Sequence, residues 1–274
     1  MISENLKTLL EPITDGVSIA IPPSRSGVAV AATRALIECG VRDLHLIAIP
    51  TSGIQADMLI GTGCVATMES AGVTLDEHGQ APRFIEAVKA GSLKLKDTTC
   101  PALISALQAG EKGIPFIPMR GLIGSDLLAN RPDYRVIDNP MIESGDPIVL
   151  LPAIRPDFAL FHAPIADWHG NVWIGKTREL MTMAHAAKQT LVTVETIIDD
   201  DLIHDELRAP ATIPAHYITS VAKVERGAWP LALAGCYAAD EAALQAYAVQ
   251  ARSLEDFAAL LRDSFQPGVL RAAE

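Results

Sequence analysis

Cysteine is scarce in this chain of 274 residues, and its four examples, Cys39, Cys64, Cys100 and Cys236, form no Cys-x-x-Cys pair. Such scatter argues against a disulfide framework or a zinc site and leaves them as small buried hydrophobes. The seven histidines include no His-Glu-x-x-His and no close pair, so no metal is expected. Dense runs of Lys or Arg are also missing. At a net charge of −11 the chain has nothing that would track a phosphate backbone, and nucleic acid is not an expected partner. No apolar run reaches the ~18 to 20 residues of a membrane span, and "MISENLKTLLEP" has neither the basic start nor the apolar core of a signal peptide. The expectation is a cytoplasmic protein with no membrane partner. Neither Gly-x-Ser-x-Gly nor Gly-x-Gly-x-x-Gly occurs, which counts against a serine hydrolase and a dinucleotide oxidoreductase.

What the chain has in quantity is aliphatic sequence in runs of strand length: "VSIAI" (17–21), "LHLIAI" (44–49), "CVATM" (64–68), "PFIPM" (115–119), "IVLLP" (148–152), "FALFHA" (158–163) and "TLVTVE" (190–195). They are too continuous for half-exposed strands, so most should be covered on both faces. Helix-like segments alternate with them, and three of these end at Gly40, Gly91 and Gly110, where a glycine would reverse the chain. The pattern predicts an α/β fold: an open, mostly parallel sheet with helices on both faces. "RSLEDFAALLRDSF" reads as a last amphipathic helix with Ser253 as its N-cap. One domain over 1–250, with 251–274 as its C-terminal helix and tail, is the simplest division.

Ligands of such sheets gather beyond the carboxyl ends of the strands, and four loops there carry polar residues. In "PPSRSG" (22–27) the two prolines have no N–H to give, so any anion contact passes to Ser24, Arg25 and Ser26; equally, a serine there is an N-cap and the arginine a solvated charge. Glu69 ends an apolar run and has the placing of a base or nucleophile with a raised pKa, or of a structural partner for Arg83 or another cation. In "PFIPMRGLIGSDLL" (115–128) Arg120, Gly121, Gly124, Ser125 and Asp126 converge, a set suited to a carboxylate or thioester oxygen, or to a glycine turn before a capped helix. "HGN" (169–171) reads first as a turn, with His169 a lesser catalytic candidate.

In order along the chain, "DGVSIAI" and its loop, "DMLIGTGCV", "PRFIEAVKAG", "GIPFIPMRGLIGSDLL", "VIDNP", "LLPAIRPDFALFHAPIADWHGN" and "TVE" resemble the α (A) subunit of heteromeric class I coenzyme A transferases of the glutaconate CoA-transferase type. The resemblance runs from about Asp15 to Glu195. It implies the three-layer CoA-transferase/NagB-like fold and transfer of CoA from an acyl-CoA to a carboxylic acid. No permanently bound cofactor is implied, the CoA thioester being a substrate. A glutamate of a separate β subunit would attack the thioester, pass through an anhydride and become a glutamyl-CoA thioester, in an αβ or α2β2 assembly. Ser24, Arg25, Ser26, Arg83, Arg120, Gly124, Ser125 and Asp126 would then be the substrate-binding residues on this chain. The departure from the family is the first loop, where Ile21, Pro22 and Pro23 replace its glycines. A ring-cleaving hydrolase branch carries its acting glutamate in the α-type chain; Cys100 aligns with it here, and Glu69 would have to serve instead. The third reading is a non-catalytic phosphosugar- or effector-binding module.

Overall fold

The computed structural model describes residues 1–142 and 145–265. In chain order its elements are α1 (Leu6–Leu10), β1 (Ser18–Ile21), α2 (Val30–Glu38), β2 (Leu44–Ser52), α3 (Ile54–Gly61), β3 (Val65–Val73), α4 (Pro82–Ala90), β4 (Lys94–Asp97), α5 (Cys100–Glu111), β5 (Phe116–Met119), α6 (Leu127–Asn130), β6 (Arg135–Asp138), β7 (Pro147–Pro152), β8 (Phe158–Asp167), β9 (Val172–Trp173), α7 (Arg178–Ala186), β10 (Gln189–Ile198), β11 (Thr212–Ile213), β12 (Ser220–Lys223), α8 (Glu241–Gln250) and α9 (Leu254–Ala259). The tail expected after the last helix lies, over 266–274, outside the described residues.

Seven strands run parallel in the order β12, β10, β8, β1, β2, β3, β4. The far end of β8 pairs antiparallel with β9, which pairs in turn with β11. From β1 the chain winds outward to β4, then returns to lay β8 on the other side of β1. Strand order therefore reverses between β1 and β8, where an open α/β sheet leaves a crevice.

The unbroken apolar runs follow from this layering. Ile19, Ile21, Leu44, Leu46, Phe158 and Leu160 face the core under α1, α2 and α3. Their immediate neighbours Ala20, Ile47, Ile49, Ala159 and Phe161 face the opposite core under α5 and α7. With both faces covered, alternation of apolar and polar residues disappears.

Three expectations need correcting. "PFIPM" and "IVLLP" do not join the main sheet; they are β5 and β7 of a separate antiparallel sheet, ordered β5, β7, β6. Only its inner side is covered, where Val149, Leu151 and Leu122 pack on Ala102 of α5, while Phe116, Val136 and Ile137 stand exposed. Gly110 does not end a helix but lies inside α5, where a Cβ would collide with the Ile154 carbonyl oxygen; Gly113, at φ +68°, makes the reversal. The last amphipathic helix is shorter than read: Ser253 caps α9 by accepting from the Asp256 N–H, and residues 260–264 form a wider π turn. Before it comes α8, capped by Asp240, whose Leu244 and Tyr247 pack with Phe257 on Ile54 and Met58 of α3.

Candidate active site

The crevice between β1 and β8 is occupied by a cavity of about 490 Å³. One wall is the loop after β1, through Arg25, Ser26 and Gly27, with the ring of His162 from β8. The facing wall is Trp173, Ile174, Gly175, Lys176 and Thr177, leading into α7 at Leu180, and the segment Ala232–Gly235 closes one side. Gly27 is required where it stands: its φ is +70°, and a Cβ would meet Leu180 Cδ1 at 2.7 Å and the His162 carbonyl oxygen at 2.8 Å. The diproline entry is pinned to the end of β2, with Ser52 donating to the Pro22 carbonyl at 2.9 Å and the Ser24 N–H to that of Thr51 at 3.2 Å.

Behind the His162 ring lies a carboxylate that accepts four hydrogen bonds. Glu195, near the carboxyl end of β10, takes His162 Nε2 (2.8 Å), the Tyr237 hydroxyl (2.8 Å) and the Gly227 N–H (3.0 Å) on Oε1, and the Arg226 N–H (2.8 Å) on Oε2. Burial alone would raise this carboxyl, but the hydrogen bonds from His162, Tyr237 and the Arg226 backbone outweigh it and bring it down to about 2. Thr193 Oγ1 holds the other imidazole nitrogen at 2.8 Å. The carbonyl of Gly227 then accepts from the Ala31 N–H at the start of α2. Glu195 thus ties β8, β10 and the turn after β12 to the helix that follows the cavity loop; a carboxylate so committed is a strut and a poor nucleophile.

The residues singled out from sequence are dispersed. Arg25 and Ser26 line the crossover cavity and Ser24 does not, and neither serine caps α2, whose N-cap is Ala29 with no side-chain bond. Arg25 pairs with Asp76 at 2.9 Å and with Glu77, and Ser24 Oγ donates to Asp76 at 3.3 Å. Arg83 is buried on α4 away from this cavity, donating to the Arg252 carbonyl and lying over Phe257. Arg120 grips Asp146 with two hydrogen bonds of 2.5 and 2.7 Å on the small antiparallel sheet. Gly124, at φ +80°, Ser125, donating to the Leu122 carbonyl, and Asp126 form the turn into α6 beside it. None of Arg83, Arg120, Gly124, Ser125 or Asp126 lines the crossover cavity.

The raised carboxyl considered for Glu69 is not found. Glu69 is buried against Arg131 at 2.6 Å and Lys96 at 3.2 Å, with Asp133 beside both cations. Burial pushes its pKa up, but His45, Arg131 and Lys96 together bring it below the ordinary value. With Ser18 and His45, at the starts of β1 and β2, it lines a separate cavity of about 180 Å³. The structural alternative is the one found, with Arg131 and Lys96 as the cations and Arg83 not among them. Cys100 opens α5 in an exposed position, with Sγ 3.9 Å from Thr51 Oγ1; Cys39 and Cys236 are exposed as well, so of the four cysteines expected to be buried only Cys64 is. His169 sits in a turn held by Asp167, which accepts from the Asn171 backbone and side chain at 2.9 and 2.7 Å. Glu77, His78 and Glu241 place ligand atoms within 4.8 Å of one another, the one such grouping among the described residues, but Glu77 already pairs with Arg25 and His78 with Glu241.

Lys176, Thr177, His162 and Glu195 were not singled out from sequence, though signals existed. Residues 170–177, "GNVWIGKT", have the Gly-x-x-x-x-Gly-Lys-Thr spacing of a phosphate-binding loop. The structure rules out a loop of that type, because β9 runs through its middle and pairs with β8 and β11. What survives is a glycine, a lysine and a threonine at the start of α7, facing the cavity. For His162 and Glu195 the signal was two polar residues toward the ends of neighbouring parallel strands, with His162 opposite Thr193 in the register.

Comparison with known proteins agrees with this architecture. The sequence profile described as Coenzyme A transferase matches residues 4–223. The chain is 32% identical over 257 residues to the α-type (A) chain of the 3-oxoadipate CoA-transferase of Pseudomonas knackmussii, covering 90% of this chain and 87% of the relative. Its fold superposes on glutaconate coenzyme A-transferase of Acidaminococcus fermentans with a TM-score of 0.85 at 28% identity, over 95% of this chain and 87% of that one. It superposes as well on a variant of the decarboxylase AibA/AibB, with a TM-score of 0.82 at 29% identity, over 94% of this chain and 97% of that one.

Proposed function

The chain belongs to the coenzyme A transferase family, and from that premise we propose that it is the α subunit of a two-subunit enzyme moving CoA from an acyl-CoA to a carboxylic acid. The observation that carries the division of labour is the makeup of the crossover cavity. Among the described residues lining it there is no carboxylate, and Glu195, behind the His162 ring, already accepts four hydrogen bonds. Among the described residues, the cavity wall supplies an acyl pocket and no carboxylate nucleophile. A partner subunit, in an αβ or α2β2 assembly, brings the reacting glutamate to the mouth, where Leu207 lines the cavity while 92% exposed.

The partner's carboxylate attacks the thioester carbonyl; the C–S bond breaks and CoA leaves as thiolate, giving an acyl-glutamyl anhydride. The thiolate then attacks the glutamyl carbonyl, releasing the acyl group as a free acid and leaving a glutamyl-CoA thioester. The acceptor acid reverses both steps. This chain's part is to hold the acyl group among Trp173, Ile174, Leu180 and Leu233 and to keep water from the anhydride. Arg120, Gly124, Ser125 and Asp126, on the small sheet, belong in this reading to the wall that meets the partner. A cytoplasmic location goes with the reading; no described helix is long and apolar enough to cross a membrane.

The test is to assay the purified chain alone and after co-purification with the product of an adjacent gene. CoA transfer by the pair and none by the chain alone is the expected result. Full transfer by the chain alone would contradict the reading, and release of CO2 in place of CoA exchange would move the pair toward the decarboxylase relative.

A further inference from the structure

One side of the cavity is a single layer of backbone. Residues 233–237 form a small hairpin, closed by the Leu233 N–H donating to the Tyr237 carbonyl at 3.0 Å and the Tyr237 N–H to the Leu233 carbonyl at 3.1 Å, with Gly235 turning at φ +80°. Ala234 and Gly235 line the cavity from within and are exposed to solvent from without; Leu233 alone of residues 232–236 is buried. Tyr237 holds this layer down. Its hydroxyl accepts from the Ala228 N–H at 3.0 Å and donates at 2.8 Å to Glu195 Oε1, the oxygen that also takes His162 Nε2. The Arg226 guanidinium lies over its ring, 5.1 Å from the centre. Tyr237, Glu195 and His162 thus form a hydrogen-bonded chain from the hairpin to the wall that the His162 ring makes.

We infer that Tyr237 is a positioning residue for the reaction: it latches the 233–237 hairpin over the acyl pocket and so decides whether the bound acyl group passes to an acid or is lost to water. This rests on the transferase reading and adds to it the group that separates transfer from hydrolysis. When the hairpin lifts, water reaches the acyl carbonyl of the anhydride and adds to it. The bond from that carbon to the glutamyl oxygen breaks. The acyl group leaves as free acid, the glutamate returns to its carboxylate, and the proton released goes to the CoA thiolate. Acyl-CoA and water have then given acid and free CoA. The latch joins a hydroxyl to a carboxylate, a stronger bond than one between neutral groups, so its loss has a measurable effect.

The experiment uses the chain assembled with its partner, at saturating acyl-CoA and acceptor acid, and counts free thiol released against CoA transferred. In the wild type, transfer exceeds hydrolysis. Tyr237→Phe keeps the ring and removes the hydroxyl, and hydrolysis per transfer rises by roughly tenfold, the worth of one hydrogen bond to a charged group. Gly110→Ala strains α5 against Ile154 and Arg155, away from the hairpin, and keeps the wild-type ratio. An unchanged ratio in Tyr237→Phe overturns the inference. So does an equal rise in Gly110→Ala, which would make the effect one of general loosening. Should Tyr237→Phe not assemble, Gly235→Ala strains the same hairpin at positive φ with no atom within 4 Å of the new Cβ; a ratio raised severalfold supports the latch and a wild-type ratio refutes it. If the wild-type assembly transfers CoA to no acid, the transferase reading fails by itself. The latch is then read by hydrogen exchange of the assembly, where faster exchange at the Leu233 and Tyr237 amides in Tyr237→Phe, confined to the hairpin, supports it and unchanged exchange refutes it.

Discussion

Two buried carboxylates show how far local partners decide a residue's chemistry. Glu195 is held low, at about 2, so its contribution to stability is present above the unfolded value near 4.5 and is lost as pH falls from there toward 2. Glu195→Gln turns an acceptor into an amide donor facing the Arg226 N–H. It should lower stability at pH 7 by about 1–3 kcal/mol, and urea midpoints should show the deficit shrinking at pH 4. Asp57 is the opposite case. Burial raises it to about 6, even though the Phe84 N–H and the Tyr247 hydroxyl bond it at 2.8 and 2.9 Å. Its folded carboxyl binds a proton more tightly than the unfolded one, so this stabilising contribution is complete below about 3.8 and is lost as pH rises through 6. Melting curves of Asp57→Asn should therefore gain most over wild type at pH 8 and least at pH 4. None of these environments was legible in the sequence, because the partners lie far along the chain: Tyr247 for Asp57, Tyr237 for Glu195, and Arg131 for Glu69, whose two readings, reactive carboxyl or structural ion pair, the sequence left open and the structure resolves toward the ion pair.

At the level of elements, the strands of the parallel sheet were legible because a strand covered on both faces must be apolar throughout, as in "LHLIAI" and "FALFHA". The same rule misplaced β5 and β7, since an apolar run does not say which sheet it joins. Gly110 was misread because helix ends and close helix packing both call for glycine. Gly110→Ala separates the two uses. A glycine that merely ended α5 at positive φ would lose only about 1 kcal/mol to the backbone strain of alanine. Here the new Cβ would meet the Ile154 carbonyl oxygen, and urea denaturation should show a loss of about 1–3 kcal/mol. The loop after β1 is legible in outline only. Its prolines signal rigidity, but the sequence does not reveal that its arginine is spent on Asp76 and Glu77, or that Lys176 lines the same cavity.

For the whole molecule the central claim is that this chain shapes an acyl pocket at the reversal of strand order and receives its nucleophile from another subunit. Leu207 stands at the rim, so Leu207→Asp should weaken association with the partner while the isolated chain melts within a few degrees of wild type, a difference that sedimentation of the mixed subunits reads directly. The most direct test is to incubate the assembled enzyme with acyl-CoA, omit the acceptor, quench with acid, and locate CoA by mass spectrometry of the separated subunits. CoA is expected as a thioester on a glutamate of the partner, with none on this chain. A CoA adduct on Glu69, Glu195 or any other residue of this chain would contradict it.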